Sequence, residues 1–251
     1  MNVPKVLPVK EPDNVKAKPH HPHLPQVGVG GGSCLLMISP VKTGKSTLIS
    51  NLLLNDNFYG QEFFDDAVII SNTIANDVTS RFLREAYDVE DHYDDSIIDS
   101  IVEHQKSFDK EDQPQMALVL DDCLGSIKRE ARINHLASRF RHYNIKLLLM
   151  SSQKFRGSVS PIVRANATDV IIGSPFPNQR ELLAVADEYG DLFSGPDNWM
   201  KLYKKCTPNK YDFCYMDLQS NPPKMYRNFE SLIATGGVKD KNEDLISDDT
   251  K

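Results

Sequence analysis

Apolar residues along the chain fall into two kinds of pattern. Short runs that are apolar throughout occur at 34–39 (CLLMIS), 67–71 (AVIIS), 116–122 (MALVLDD), 145–153 (IKLLLMSSQ) and 168–173 (TDVIIG). Between them lie longer stretches with helical spacing, at 45–55, 76–87, 94–108, 128–143 and 178–190. In the fourth of these, Ile133, Leu136 and Phe140 fall on one face. Strands that do not alternate apolar with polar positions are buried on both faces, so the alternation predicts a parallel sheet covered by helices on either side. A later run, 210–218, does alternate, with Tyr211, Phe213 and Tyr215 on one side, and suits an added antiparallel strand.

The two ends read differently. Residues 1–32 are rich in Pro, Lys and His, end in GVGGG and show no apolar period, as expected of a flexible arm. His20, His21 and His23 lack spaced partners and fit that arm better than a metal site. Residues 234–251 form a polar, acidic tail, leaving 33–233 as the folded domain. A chain of 251 residues with 40% hydrophobic and 25% charged content is ordinary for a globular protein. It has no run of eighteen apolar residues to span a membrane and no apolar segment of the secretory kind near its start. The four cysteines form no paired framework, which suits packed thiols in a reduced compartment.

Charge is divided more sharply than the net value of −6 suggests. Residues 85–122 carry thirteen acids against two bases, and 124–164 nine Lys and Arg against one acid. Solvated helical faces explain such runs in most proteins. The alternatives are self-association between unlike faces and a basic surface for a polyanion.

The chemistry begins after the first strand. Ser39-Pro40-Val41-Lys42-Thr43-Gly44-Lys45-Ser46 matches the phosphate-loop pattern G-x-x-x-x-G-K-[ST], with Thr47 following, except that Ser39 replaces the first glycine. In such a loop backbone N–H groups and a helix N-terminus hold phosphates, Lys45 reaches the β- and γ-oxygens, and the Ser46 hydroxyl ligates Mg²⁺. Asp121 and Asp122 end the third apolar run, where two adjacent acids need a cation or hydrogen bonds. The first suits the Mg²⁺ shell and the second the attacking water. Ser151, Ser152 and Gln153 end the next run beside the same crevice, and Gln153 is a candidate sensor of the γ-phosphate. Arg139, Arg141 and Arg164 are candidate arginine fingers.

Together these segments resemble the genome-packaging ATPases of poxviruses and other nucleocytoplasmic large DNA viruses, within the FtsK/HerA superfamily of P-loop ATPases. The resemblance covers about 33–233 and rests on ISPVKTGKSTLISNLL, VLDDCLGSI, the stretch from RFRHYNIKLLLMSSQ to ATDVII, and YDFCYMDL with MYRNFE. It implies an α/β P-loop fold and a homo-oligomeric ring that spends ATP, with Mg²⁺, to drive double-stranded DNA into a preformed capsid. The implied partners are the DNA, further copies of the chain and a capsid or portal vertex, and the implied places are the host cytoplasm and the virion. Lys45 and Ser46 fall on the Walker A positions, Asp121 and Asp122 on Walker B, Gln153 on the sensor, and Arg139 or, preferably, Arg141 on the finger. A small-molecule P-loop kinase and a nucleotide-gated interaction module are the alternatives. The acid pair and the Ser-Gln strand end favour the translocase over both. A terminase-type motor with a fused nuclease would need a carboxylate cluster after the fifth strand, and none is seen.

Overall fold

A computed structural model describes residues 23–27, 31–74, 80–128 and 130–237. Among these residues nine strands form one sheet: β1 (Ser33–Ile38), β2 (Asp66–Ser71), β3 (Asp88–Glu90), β4 (Met116–Asp121), β5 (Ile145–Ser152), β6 (Asp169–Gly173), β7 (Phe213–Asp217), β8 (Lys224–Arg227) and β9 (Ser231–Thr235). Their spatial order is β3-β2-β4-β5-β1-β6-β7-β8-β9. The first six in that order are parallel to their neighbours, and β7, β8 and β9 are added antiparallel. The expected α/β fold, with its parallel sheet and added antiparallel strand, is therefore present.

The all-apolar runs are explained by helices on both faces. Alternate residues of the central strands serve two separate cores. Leu35, Met37, Val119 and Leu149 pack with Ile49, Leu52 and Leu53 of α1 (Lys45–Leu54) and with the aromatics Tyr59, Phe63 and Phe64. Leu36, Ile38, Leu120 and Met150 face the other way. There they meet α3 (Asp95–Lys106), α6 (Gln179–Tyr189) and α7 (Pro196–Cys206), with Trp199 fully buried. Three short helices, α2 (Arg81–Ala86), α4 (Arg132–Leu136) and α5 (Pro161–Asn166), complete the α-helices among the described residues.

Two expectations change. The stretch 128–143 is not one helix: after α4 the chain turns, and 140–143 is a single 3-10 turn. Arg139 leaves helical geometry at φ −131°, Asn144 takes φ 52°, and Asn144 N–H closes on Arg141 O, which aims the chain directly into β5. Residue 129 lies outside the described residues. Of the expected helix at 76–87, α2 is described and 76–79 are not. Tyr211 is not a strand residue, since β7 begins at Phe213.

Residues 1–22 and 238–251 lie outside the described residues, as do His20 and His21. Within the segment read as an arm, Leu24 and Val27 are buried in the α1-side core, His23 Nδ1 lies 2.9 Å from Phe229 O, and Tyr59 Oη donates to Pro25 O at 2.5 Å. The acidic and basic stretches meet within the subunit: Arg132 on α4 pairs with Asp99 on α3 at 3.3 Å, and its N–H donates to Asp95 at 2.9 Å. Part of the charge division is thus satisfied inside one chain. Among the described residues, no helix is long and apolar enough to cross a membrane.

Candidate nucleotide site

β1 lies between β5 and β6, and the loop 39–44 leaves its carboxyl end. This is the kind of switch point in an open α/β sheet where ligands bind. Ser39 N–H donates to Ser152 O at 2.9 Å, tying the loop to the end of β5. Gly44 precedes α1 with φ 92°, a conformation that glycine takes without strain, and Lys42 is also left-handed at φ 60°. The first turn of α1 has neither a side-chain cap nor an acidic residue. Its N–H groups are therefore open to an anion.

Ser39 is buried, and its hydroxyl pairs with that of Thr43, which donates to Pro40 O at 2.6 Å. The Ser39 side chain points at Gly173, the last residue of β6. A Cβ there would lie 1.9 Å from Ser39 Oγ. The missing first glycine of the loop is matched by a glycine on the adjoining strand.

Lys45 is buried, with Nζ 3.0 Å from Asp122 Oδ2 and donating to Ser39 O at 3.2 Å. Asp121 accepts a hydrogen bond from the Ser151 hydroxyl, and the same hydroxyl accepts from Asp122 N–H at 3.1 Å. Asp122 adopts φ 53°, which turns its carboxylate into the site. Gln153 Nε2 donates to Asp122 Oδ2 at 3.3 Å. The other oxygen, Asp122 Oδ1, is buried without a partner. An orphaned carboxylate oxygen is costly in a dry site unless water or a cation meets it. That oxygen is open to a water, while the Asp121 carboxylate and the Ser46 hydroxyl are oxygen donors of the kind a hard cation prefers.

Lys45, Asp122 and Gln153 therefore converge from the ends of β1, β4 and β5. Ser39 to Thr47 line, with Asp122, a cleft of about 970 Å³, apart from Pro40. Arg139 and Arg141 are exposed and stand before β5, at the opposite end of the sheet. Arg141 rests on the Phe140 ring, 5.2 Å from its centroid. Arg164 pairs with Glu188 at 3.3 Å and lies over Phe155, so it is committed within the chain. Sequence reasoning missed Gly173, Lys210, Tyr211 and Phe213, which also line the cleft. Gly173 carried a signal, as a glycine ending an apolar run, but its partnership with Ser39 depends on β1 pairing β6.

No protein-family model matches the chain. It is 29% identical over 146 residues to the uncharacterized protein 075L of Invertebrate iridescent virus 6, covering 57% of this chain and only 54% of that protein. Among solved structures it is similar to B204, the DNA-packaging ATPase of Sulfolobus turreted icosahedral virus, with TM-score 0.57 and 17% identity over 77% of this chain and 96% of that one. The chain shares the fold of B204. A complex of the corresponding Sulfolobus turreted icosahedral virus 2 NTPase with AMPPCP superposes with TM-score 0.56 at 18% identity, covering 79% of this chain and 98% of that one. The cytoplasmic domain of the Thermomonospora curvata type VII secretion ATPase EccC is also similar, with TM-score 0.54 and 14% identity over 86% of this chain and 27% of that one. One architecture thus occurs in proteins described by different cargo.

Proposed function

We propose that this protein is an ATPase that assembles as a ring of identical subunits and moves double-stranded DNA, in the setting of packaging a viral genome into a preformed capsid. The observation that carries the reading is the junction of Lys45, Asp122 and Gln153 at three neighbouring strand ends. A phosphate loop alone serves many reactions. A half-buried acid in contact with both the loop lysine and a strand-end amide suits hydrolysis, because it can hold water beside the terminal phosphate. Similarity to a DNA-packaging ATPase supports the DNA cargo, and similarity to a viral protein supports the viral setting.

In this reading the N–H groups of 41–46 and Lys45 bind the β- and γ-phosphates. Ser46 and Asp121 would hold Mg²⁺, which would neutralise phosphate charge. Asp122 Oδ1 takes a proton from the attacking water as the water oxygen bonds to the γ-phosphorus and the bond from that phosphorus to its bridging oxygen breaks, releasing ADP. Gln153 keeps the Asp122 carboxylate in place and senses the terminal phosphate.

The test is ATP hydrolysis by the full chain, with and without double-stranded DNA, across a range of protein concentrations. The rate should rise with both. Lys45→Ala should abolish turnover and weaken ATP binding. Asp122→Asn should bind ATP and lose about 10²- to 10⁴-fold in turnover. Transfer of phosphate to a nucleoside monophosphate would favour a kinase. ATP turnover indifferent to DNA in an assembled sample would remove the translocase.

A further inference from the structure

The cleft continues past the phosphate loop. Beyond Gly44 and Thr47 its wall is made by Phe58, Ile171, Phe213 and Tyr211. The loop's backbone and Lys45 supply the polar part of the lining, and these apolar and aromatic side chains have no part in holding phosphate. Tyr211 is 58% exposed, and its ring lies beside Gly44, with Cδ1 3.8 Å from where a glycine Cβ would stand. Phe213 backs the wall, packed edge-on against Phe229 with centroids 5.1 Å apart, and Phe58 meets the same ring at 6.1 Å.

Tyr211 is also held in a costly conformation. Its φ of 74° is one that a bulky aromatic residue enters only when its surroundings impose it. Tyr211 N–H donates to Ser174 O at 3.3 Å. The next residue, Asp212, accepts from Asn209 N–H at 2.9 Å and from Asn228 Nδ2 at 3.3 Å, and pairs with Arg227 at 3.1 Å. This network fixes a turn whose product is an aromatic ring standing in solvent at the rim of the cleft. Packing does not account for it, because the ring is mostly exposed.

We propose that Tyr211 is the stacking platform for the purine base of the nucleotide, with Phe213 and Phe58 closing the apolar end of the cleft. This rests on the reading of 39–47 as the phosphate site. Stacking on an aromatic face accepts any purine, since every base has a π-face. The polar side chains near that end do little to read base edges. Asn51 donates to Thr47 O at 2.8 Å and accepts from Asn55, while Lys210 lies over the Tyr211 ring, with Nζ 4.7 Å from its centroid. The platform therefore takes ATP and GTP by ring area.

The test compares ATP, GTP and inorganic triphosphate binding to the full chain by calorimetry, in wild type, Tyr211→Gly and Tyr211→Trp. Glycine suits the left-handed backbone, so Tyr211→Gly should keep or raise the thermal midpoint. It should nevertheless weaken ATP and GTP by about ten- to a hundredfold, and leave triphosphate affinity unchanged. Tyr211→Trp should keep ATP affinity. The inference is overturned if Tyr211→Gly binds ATP like wild type, or if it loses triphosphate in equal measure. Should wild type bind triphosphate as tightly as ATP, the base makes no contact and the platform is again refuted. If wild type binds neither, the phosphate-site reading itself fails, a result distinct from the others.

Discussion

At the residue scale, Ser39 is the departure from pattern that the structure accounts for. A serine at the head of a phosphate loop brings a Cβ and a hydroxyl into a crowded bend. Here the hydroxyl pairs with Thr43, and the side chain fills space left by Gly173. The two positions behave as one unit, because a Cβ on Gly173 would lie 2.8 Å from Ser39 Cβ and closer still to its oxygen. Gly173→Ala should therefore destabilise the domain by about 1–3 kcal/mol, the usual cost of overpacking, and weaken ATP binding. Ser39→Gly combined with Gly173→Ala should recover both, by denaturant unfolding and by nucleotide titration. A double variant no better than Gly173→Ala alone would show that the two side chains do not share that space.

At the scale of elements, legibility followed burial. β1, β4 and β5 are buried at every position and mostly apolar because helices cover both faces, so their runs stood out, and the candidate site residues at their ends came with them. Lys45, Asp122 and Gln153 could be grouped from sequence for that reason. β8 and β9 have four and five residues with polar positions interleaved, too short to show a period. α7 does carry apolar spacing in Trp199, Leu202, Tyr203 and Cys206, opened by Pro196, and was legible in principle. The aromatic lining of the cleft at Tyr211 and Phe213 was not, since it depends on an antiparallel strand folding back beside β6. Its turn gives a pH signature. Burial would raise the Asp212 carboxyl, but the Asn209 N–H, the Asn228 amide and Arg227 outweigh it and leave the group below its ordinary value of 3.8. A depressed folded value means stability that is present above the ordinary carboxylate range and lost as pH falls through the folded value. Asp212→Asn should cost about 1–3 kcal/mol at neutral pH, and its deficit should shrink below about pH 4. An equal deficit at pH 7 and pH 3 would mean that the carboxylate charge plays no part in holding the turn.

At the scale of the whole molecule, the position of Arg141 restricts how it can act. It stands before the first residue of β5, while Gln153 follows the last, and the strand between has eight residues. At about 3.3 Å per residue, that separation is more than ~20 Å, far beyond the reach of an arginine toward its own subunit's phosphates. If Arg141 serves hydrolysis, it does so on a neighbouring copy, through a head-to-tail contact that repeats around a ring. Arg141→Ala should then fold normally, keep ATP affinity and lose most turnover. Lys45→Ala is inactive for the opposite reason, since it retains the arginine and lacks the loop lysine. In a random mixture each Arg141→Ala subunit that receives its arginine from a Lys45→Ala neighbour has a complete site. At equal proportions about one contact in four meets that condition in a heterologous ring, so the mixture should recover up to about a quarter of the wild-type rate. Adding the Arg141→Ala, Lys45→Ala double variant instead should recover none. The same mixing with Arg139→Ala decides which arginine is the finger. Absence of recovery for both would remove these arginines from the neighbouring site, and with them the assigned purpose of the exposed basic residues before β5.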